Sequence, residues 1–430
     1  MMFQGLSTDQ APPISAPLRF FITAPFFGMV AGVMLLLLDK TALMSRFSLE
    51  SILVTHIITI GFFASVMFGA LTQMLPVLAG AKMKNVLGVT KIAHTTLVIG
   101  LLLFIGAFLT NKSFLFGGAA LLLGISFFLM LSSIALAIKS VVNFSATVKG
   151  MAVSTFFGFI ITFLGLFLLY EYATTSLSSW HHVVANIHSV LAIFGFAGIL
   201  ILGVAFQVLP MFYVAPKFKR FCKKYVISLI SFGLFLWILL SSFYEEYALF
   251  AKAIIALFFW AFATTVWVKL NRRKRPISDV TVWYWRAASV FLTLGSFVWI
   301  FDEFFKHQYI VMVGILIGGG FLLSILIGML YKIIPFLVWF HLNGKGYMSI
   351  PTITQMIDIR IAKAQFVLLM ASLVGLLFGF YMPFVVNIAA VSFIVSMILL
   401  QYNILVPVKI YKETLKKKPD FDMSAFSMMG

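Results

Sequence analysis

Seven histidines and a single cysteine carry whatever metal-ligating chemistry this 430-residue sequence holds. Neutral imidazole is a common ligand for metals and for haem iron. Cys222 has no CxxC or CxxCH neighbour; it stands in "KRFCKKY", where the cations favour a thiolate but an incidental cysteine explains the segment as well. Two histidines differ from the rest, because His56 in "ILVTHIITIG" and His188 in "VANIHSVLAI" are enclosed by apolar sequence. A polar ring inside a membrane is costly unless it is paired or ligated. Ligation of iron or copper and a hydrogen bond to a backbone carbonyl are both open at this level. His181 and His182 in "SSWHHVV", and His307 in a polar connection, read as solvated; His94 and His341, near the other ends of their segments, do not read as ligands.

The elements that must position these rings follow from composition. Hydrophobic residues make up 62% of the chain and charged residues 10%, with a mean hydropathy of +1.09. Apolar runs of helical length recur throughout, and a backbone in lipid must satisfy its hydrogen bonds internally. The expected fold is an all-α integral membrane protein with twelve transmembrane helices, at 19–38, 51–75, 89–110, 114–138, 150–170, 184–209, 225–243, 248–268, 283–301, 308–334, 364–382 and 385–408. Met1 to Leu18 lacks the pattern of a cleaved signal peptide and reads as a retained tail.

The net charge of +18 does not imply a nucleic-acid partner, because the cations sit in short loops between spans. Of the 31 Lys and Arg residues, only Lys40, Arg46, Lys112, Lys252 and Lys306 fall in the connections on one side. The positive-inside rule then places both termini in the cytoplasm of an inner-membrane protein, with His56 and His188 near the outer ends of their helices. The basic stretches at 269–279 and 408–418 read as contacts to anionic lipid. The segment 349–365 reads as an interfacial amphipathic helix. The outer stretches "FYEEY" at 243–247 and "FDEFF" at 301–305 could dock a cationic electron carrier, although interfacial aromatics with solvated carboxylates account for them. No carboxylate falls well inside a span, which argues against ion-coupled transport.

Three stretches share a pattern: "GALTQMLP" at 69–76, "GVAFQVLP" at 203–210 and "GMLYKIIP" at 328–335. Gly69, Gln73 and Pro76, then Gly203, Gln207 and Pro210, then Gly328, Lys332 and Pro335, each fall on one helical stripe. The glycine permits close approach, the long polar residue can bond to a neighbouring helix, and the proline ends or kinks the helix. Lys332 must snorkel or find a polar partner. The repeat divides a single membrane domain, 1–430, into pseudo-repeats 1–140, 141–270 and 271–430. His56 and His188 lie two residues out of register with respect to their prolines, a turn of roughly 200°, so the two rings need not face corresponding directions, and separate sites are open to them. The same registers of the tenth span hold Ile315 and Val313, with Met312 beside the latter as a further candidate ligand; "GILIGGG" at 314–320 leaves room for a helix or a flat macrocycle.

Twelve helices in three sets of four, and a second helix carrying His56 ahead of "GALTQMLPVLAGA", resemble subunit I of the haem-copper oxidase superfamily, nearest to the nitric oxide reductase branch and the NnrS-like membrane proteins. The resemblance implies haem b on His56 and copper or another metal on His188. It also implies an incomplete binuclear centre, since Ala192 stands where a tyrosine belongs and the seventh and tenth spans lack histidines. A terminal oxidase, and enzymatic activity more broadly, are therefore not expected. The expected role is nitric oxide or metal stress, electron transfer or redox sensing, and the alternative is a cofactor-free transporter or sensor of a small solute. The orientation carries a direct prediction: a reporter fused after Lys418 is active in the cytoplasm, and activity on the outer side inverts the topology.

Overall fold

The structure, a computed structural model, describes residues 11–274, 279–305 and 308–421. The described residues are helical, without strands. Twelve helices are long and apolar enough to cross a membrane: α1 (Ser15–Leu37), α2 (Leu49–Ala79), α3 (Val86–Thr110), α4 (Ser113–Lys139), α5 (Ala146–Thr174), α6 (His181–Tyr213), α7 (Arg220–Phe243), α8 (Glu245–Asn271), α9 (Val280–Phe305), α10 (Ile310–Asn343), α11 (Ile359–Phe378) and α12 (Val385–Thr414). The chain is a multi-pass membrane protein of the expected fold class. Lys306 and His307 lie outside the described residues, as do the first ten residues of the tail and 275–278 of the basic stretch 269–279.

Three helices form the centre. The most apolar stretches of α2, α6 and α10 are 67%, 78% and 61% buried, while no other helix exceeds 50%. Helices that share so little surface with lipid are surrounded by the other nine. The same three are the ones that carry the repeated pattern.

Each central helix also changes its winding. π-helical segments run over Ile57–Ala64, Leu191–Gly198 and Gly314–Leu323. The α-helices resume at Ser65, Ile199 and Ser324, the same number of residues ahead of Pro76, Pro210 and Pro335. A π-helical turn breaks the i→i−4 ladder and is found mostly where a helix must present unusual positions.

The repeated glycines show why the pattern is needed. A Cβ on Gly69 would lie 2.7 Å from Phe21 of α1; on Gly203, 2.7 Å from the Gly150 Cα of α5; on Gly328, 2.8 Å from Tyr284 of α9. Each central helix thus seats its glycine against the first helix of its own expected unit.

The long polar residues one turn further on behave differently. Lys332 Nζ pairs with Asp279 at 2.5 Å, and Asp279 also caps α9 by accepting from the backbone N–H groups of Thr281 and Val282. Burial raises the Asp279 carboxyl, but the Lys332 charge and these hydrogen bonds outweigh it and hold the group below the usual carboxylate range. Gln73 is buried with neither amide atom hydrogen-bonded, contrary to its expected interhelical bond. Gln207 likewise makes none to a described residue. The prolines do not end their helices: α2 continues to Ala79, α6 to Tyr213 and α10 to Asn343.

The expected interfacial helix at 349–365 is not formed. Residues 349–358 are turns and extended chain, and α11 starts at Ile359. Local side-chain bonds compete with the helix there: Gln355 Oε1 accepts from the Thr352 N–H, and Asp420 accepts from the N–H groups of Met348 and Ser349.

The glycine contacts predict a selective cost. Gly203→Ala drives a methyl into the α5 backbone and lowers stability by about 1–3 kcal/mol, the usual range for overpacking, read as a drop in thermal midpoint in detergent. Gly117→Ala, which meets nothing within 4 Å, leaves the midpoint near that of the wild type.

Candidate functional site

His56 lies near the start of α2, just before its π-helical segment. Its Nδ1 is 2.8 Å from the Ile52 carbonyl oxygen of the preceding turn, and its ring stands 5.1 Å from that of Phe104 on α3. His188 holds the comparable place on α6, but its Nδ1 reaches across to α5, 3.0 Å from the Ile161 carbonyl oxygen. Gly165, one turn along α5, makes that reach feasible, since a Cβ there would stand 3.1 Å from His188 Cε1. A carbonyl can only accept, so each Nδ1 carries the proton and each Nε2 keeps its lone pair. Neither Nε2 has a hydrogen-bond partner among the described residues.

The two rings face one compartment. Their centroids are 6.1 Å apart and their planes 18° from parallel. Both line a cavity of about 630 Å³ enclosed mainly by apolar side chains, and both keep accessible surface although protein surrounds them. That surface is presented to the cavity.

Of the arrangements left open by the register offset, the structure has the two rings lining one cavity. The rotation implied by the register offset is real, but it acts in the opposite sense: two helices lying side by side present opposite faces to the gap between them. An offset of about half a turn is therefore what lets both rings enter it. The resemblance assigns His56 and His188 to two different groups, whereas the structure puts them at one place, bounded by α2, α3, α5 and α6.

The third central helix contributes a wall and no ligand. A Cβ on Gly314 or Gly318 would meet nothing within 4 Å, and both glycines line the cavity. Gly319 and Gly320 instead pack against Leu373 of α11 and Phe291 of α9. The glycine-rich run thus serves both helix packing and open space. Met312, the candidate ligand of that helix, is not among the cavity-lining residues, although its neighbours Val311 and Val313 are. No group of three or more His, Cys, Asp or Glu that could hold a metal ion exists among the described residues, so no three-ligand copper site forms around His188.

The mouth of the cavity is more structured than the sequence suggests. His181, expected to be solvated, is only 7% exposed, and its Nδ1 lies 2.7 Å from Oε2 of the buried Glu171. Asp302 in the acidic rim is fully buried and accepts the Tyr309 N–H at 2.6 Å, while Glu245 and Glu246 are exposed as expected. Lys252 pairs with Glu303 at 2.8 Å, with its Nζ 5.1 Å above the Trp299 ring. Arg46 lies over the Phe47 ring with Nη2 3.5 Å from the Ser189 hydroxyl, and no described carboxylate is within ion-pair reach of it. Elsewhere, His94 bonds to the Thr23 hydroxyl, and His341 has a buried Nε2 without a partner.

Neither a protein-family model nor a curated protein matches this chain. The functional reading therefore rests on the site itself.

The Gly165 contact is testable without any ligand. Gly165→Val lowers the thermal midpoint by striking the His188 ring. His188→Ala in the same chain recovers part of that loss, because coupled neighbours are not additive; strictly additive effects contradict the contact.

Proposed function

We propose that this protein binds one b-type haem in the outer half of an inner membrane, with His56 and His188 as its two axial ligands, and serves electron transfer or redox sensing, in the setting of nitric oxide or metal stress, rather than oxygen reduction. The observation that carries the reading is the facing pair of imidazoles across an apolar cavity, each with Nδ1 engaged and Nε2 unengaged.

The donor set fits the group. The two rings, 6.1 Å apart, are close enough for His56 and His188 to hold one group between them. A haem needs only two axial protein ligands, so the lack of a third convergent side chain counts against copper and not against haem. Apolar walls and the open glycine face of α10 suit a flat macrocycle. Arg46 offers charge-assisted hydrogen bonds to carboxylates at the rim.

His56 and His188 would hold the haem, which would supply one-electron exchange there. The chain supplies the rest. The Ile52 and Ile161 carbonyls fix the tautomers and raise the basicity of the ligating nitrogens. The phenylalanines around the rings exclude water. A haem-copper oxidase-like scaffold that has lost its binuclear centre agrees with both the topology and the chemistry, and the loop charges favour cytoplasmic termini with anionic lipid at the basic loops. The exposed Glu245 and Glu246 offer a cationic electron carrier a place to dock on the outer face.

The test is a reduced-minus-oxidised spectrum of the purified protein in detergent, with metal analysis. A low-spin b-type spectrum with about one iron per chain is expected, lost in both His56→Ala and His188→Ala. Copper in place of iron assigns the pair to that metal, and a colourless, metal-free protein overturns the reading in favour of the cofactor-free transporter or sensor.

A further inference from the structure

The Glu171–His181 pair is left unused by the site as described. Glu171 is 3% exposed and His181 7%, so an ionisable carboxylate and an imidazole are both withdrawn from water near the mouth of the cavity. Every hydrogen-bonding atom but one is engaged: Glu171 Oε1 accepts the Ser178 N–H at 2.8 Å, and Oε2 meets His181 Nδ1 at 2.7 Å. The exception is His181 Nε2, which has no partner among the described residues, and His181 lines the same cavity as His56 and His188. Seven residues separate it from His188, roughly 10 Å along the helix toward the outer face.

The pair is enclosed by aromatic rings and one nearby cation. Tyr172 of α5 and His182 of α6 present their ring edges to His181 at 5.7 and 5.6 Å. Phe47 packs on His182 at 4.6 Å, and Arg46 stands over Phe47 as the nearby fixed positive charge. The Glu171 carboxylate fixes the orientation of the His181 ring through Nδ1 and leaves Nε2 as the nitrogen open to a proton.

We propose that Glu171 and His181 form the proton-exchange site that balances a change of charge in the cavity. The inference rests on the haem reading. For each electron delivered to the iron by a one-electron donor, one proton passes from outer water to His181 Nε2; an O–H bond of hydrated acid breaks and an N–H bond forms. On oxidation the proton returns. The physical need is clear, since an uncompensated charge in low dielectric is strongly disfavoured, and this pair sits between the redox position and the aqueous face. Glu171 acts through His181 and is a positioning residue.

Equilibrium redox titration of the haem-loaded protein over pH 5.5–8.5, with chemical mediators, tests it. The wild type shifts its one-electron equilibrium close to tenfold per pH unit over part of that range, which corresponds to 59 mV. Glu171→Gln, which keeps the side-chain shape, and His181→Asn, read in parallel in case either folds poorly, each reduce that dependence by at least half without removing the spectrum. A wild-type potential that ignores pH, or variants that keep the full dependence, overturn the proposal while the haem reading stands. A protein that takes up no haem overturns both.

Discussion

An imidazole inside a membrane has two nitrogens to satisfy, and this structure satisfies one of each pair. Carbonyl oxygens of Ile52 and Ile161 take the Nδ1 protons of His56 and His188. Both rings line an apolar cavity, and neither Nε2 has a hydrogen-bond partner among the described residues. Two imidazole nitrogens without such a partner thus stand on rings only 6.1 Å apart. α2, α6 and α10, the most buried helices, all contribute walls to this space inside a bundle that otherwise packs tightly.

Close approach and open space are produced by the same three helices at different depths. Toward the basic loops, Gly69, Gly203 and Gly328 let each central helix seat against α1, α5 and α9. Toward the opposite end the winding loosens into π-helix, and the cavity begins. Small residues make the first possible because lipid supplies no hydrophobic drive between helices and van der Waals contact must do the work. The Lys332–Asp279 pair ties α10 to the start of α9 at the tight end. The loose end is edged by paired charges that suit it to exchange with water.

The twelve spans, the repeated Gly, Gln or Lys, and Pro stripe, and the two candidate histidines were legible because each leaves a local mark: apolar length, fixed spacing, or a polar residue in an apolar run. The meeting of His56 with His188 was not, since it depends on how two helices lie side by side. The Glu171–His181 pair was missed for a related reason. Its partners stand on either side of a short loop, at positions that hydropathy alone assigns to water, and only closure of the α5–α6 hairpin withdraws them. Gln73 shows the converse: a residue type that suggests a bond, in a place where no partner arrives.

The two rings are anchored in different ways. His56 is bonded to its own helix and travels with it as a unit. His188 is bonded to the neighbouring α5, so any sliding or spreading of α5 against α6 is felt as tension on that one imidazole. Bilayer thickness and lateral pressure act on such spacings. The His188 ring thus ties α6 to α5 through one side chain, whereas the His56 ring is tied to α2 alone.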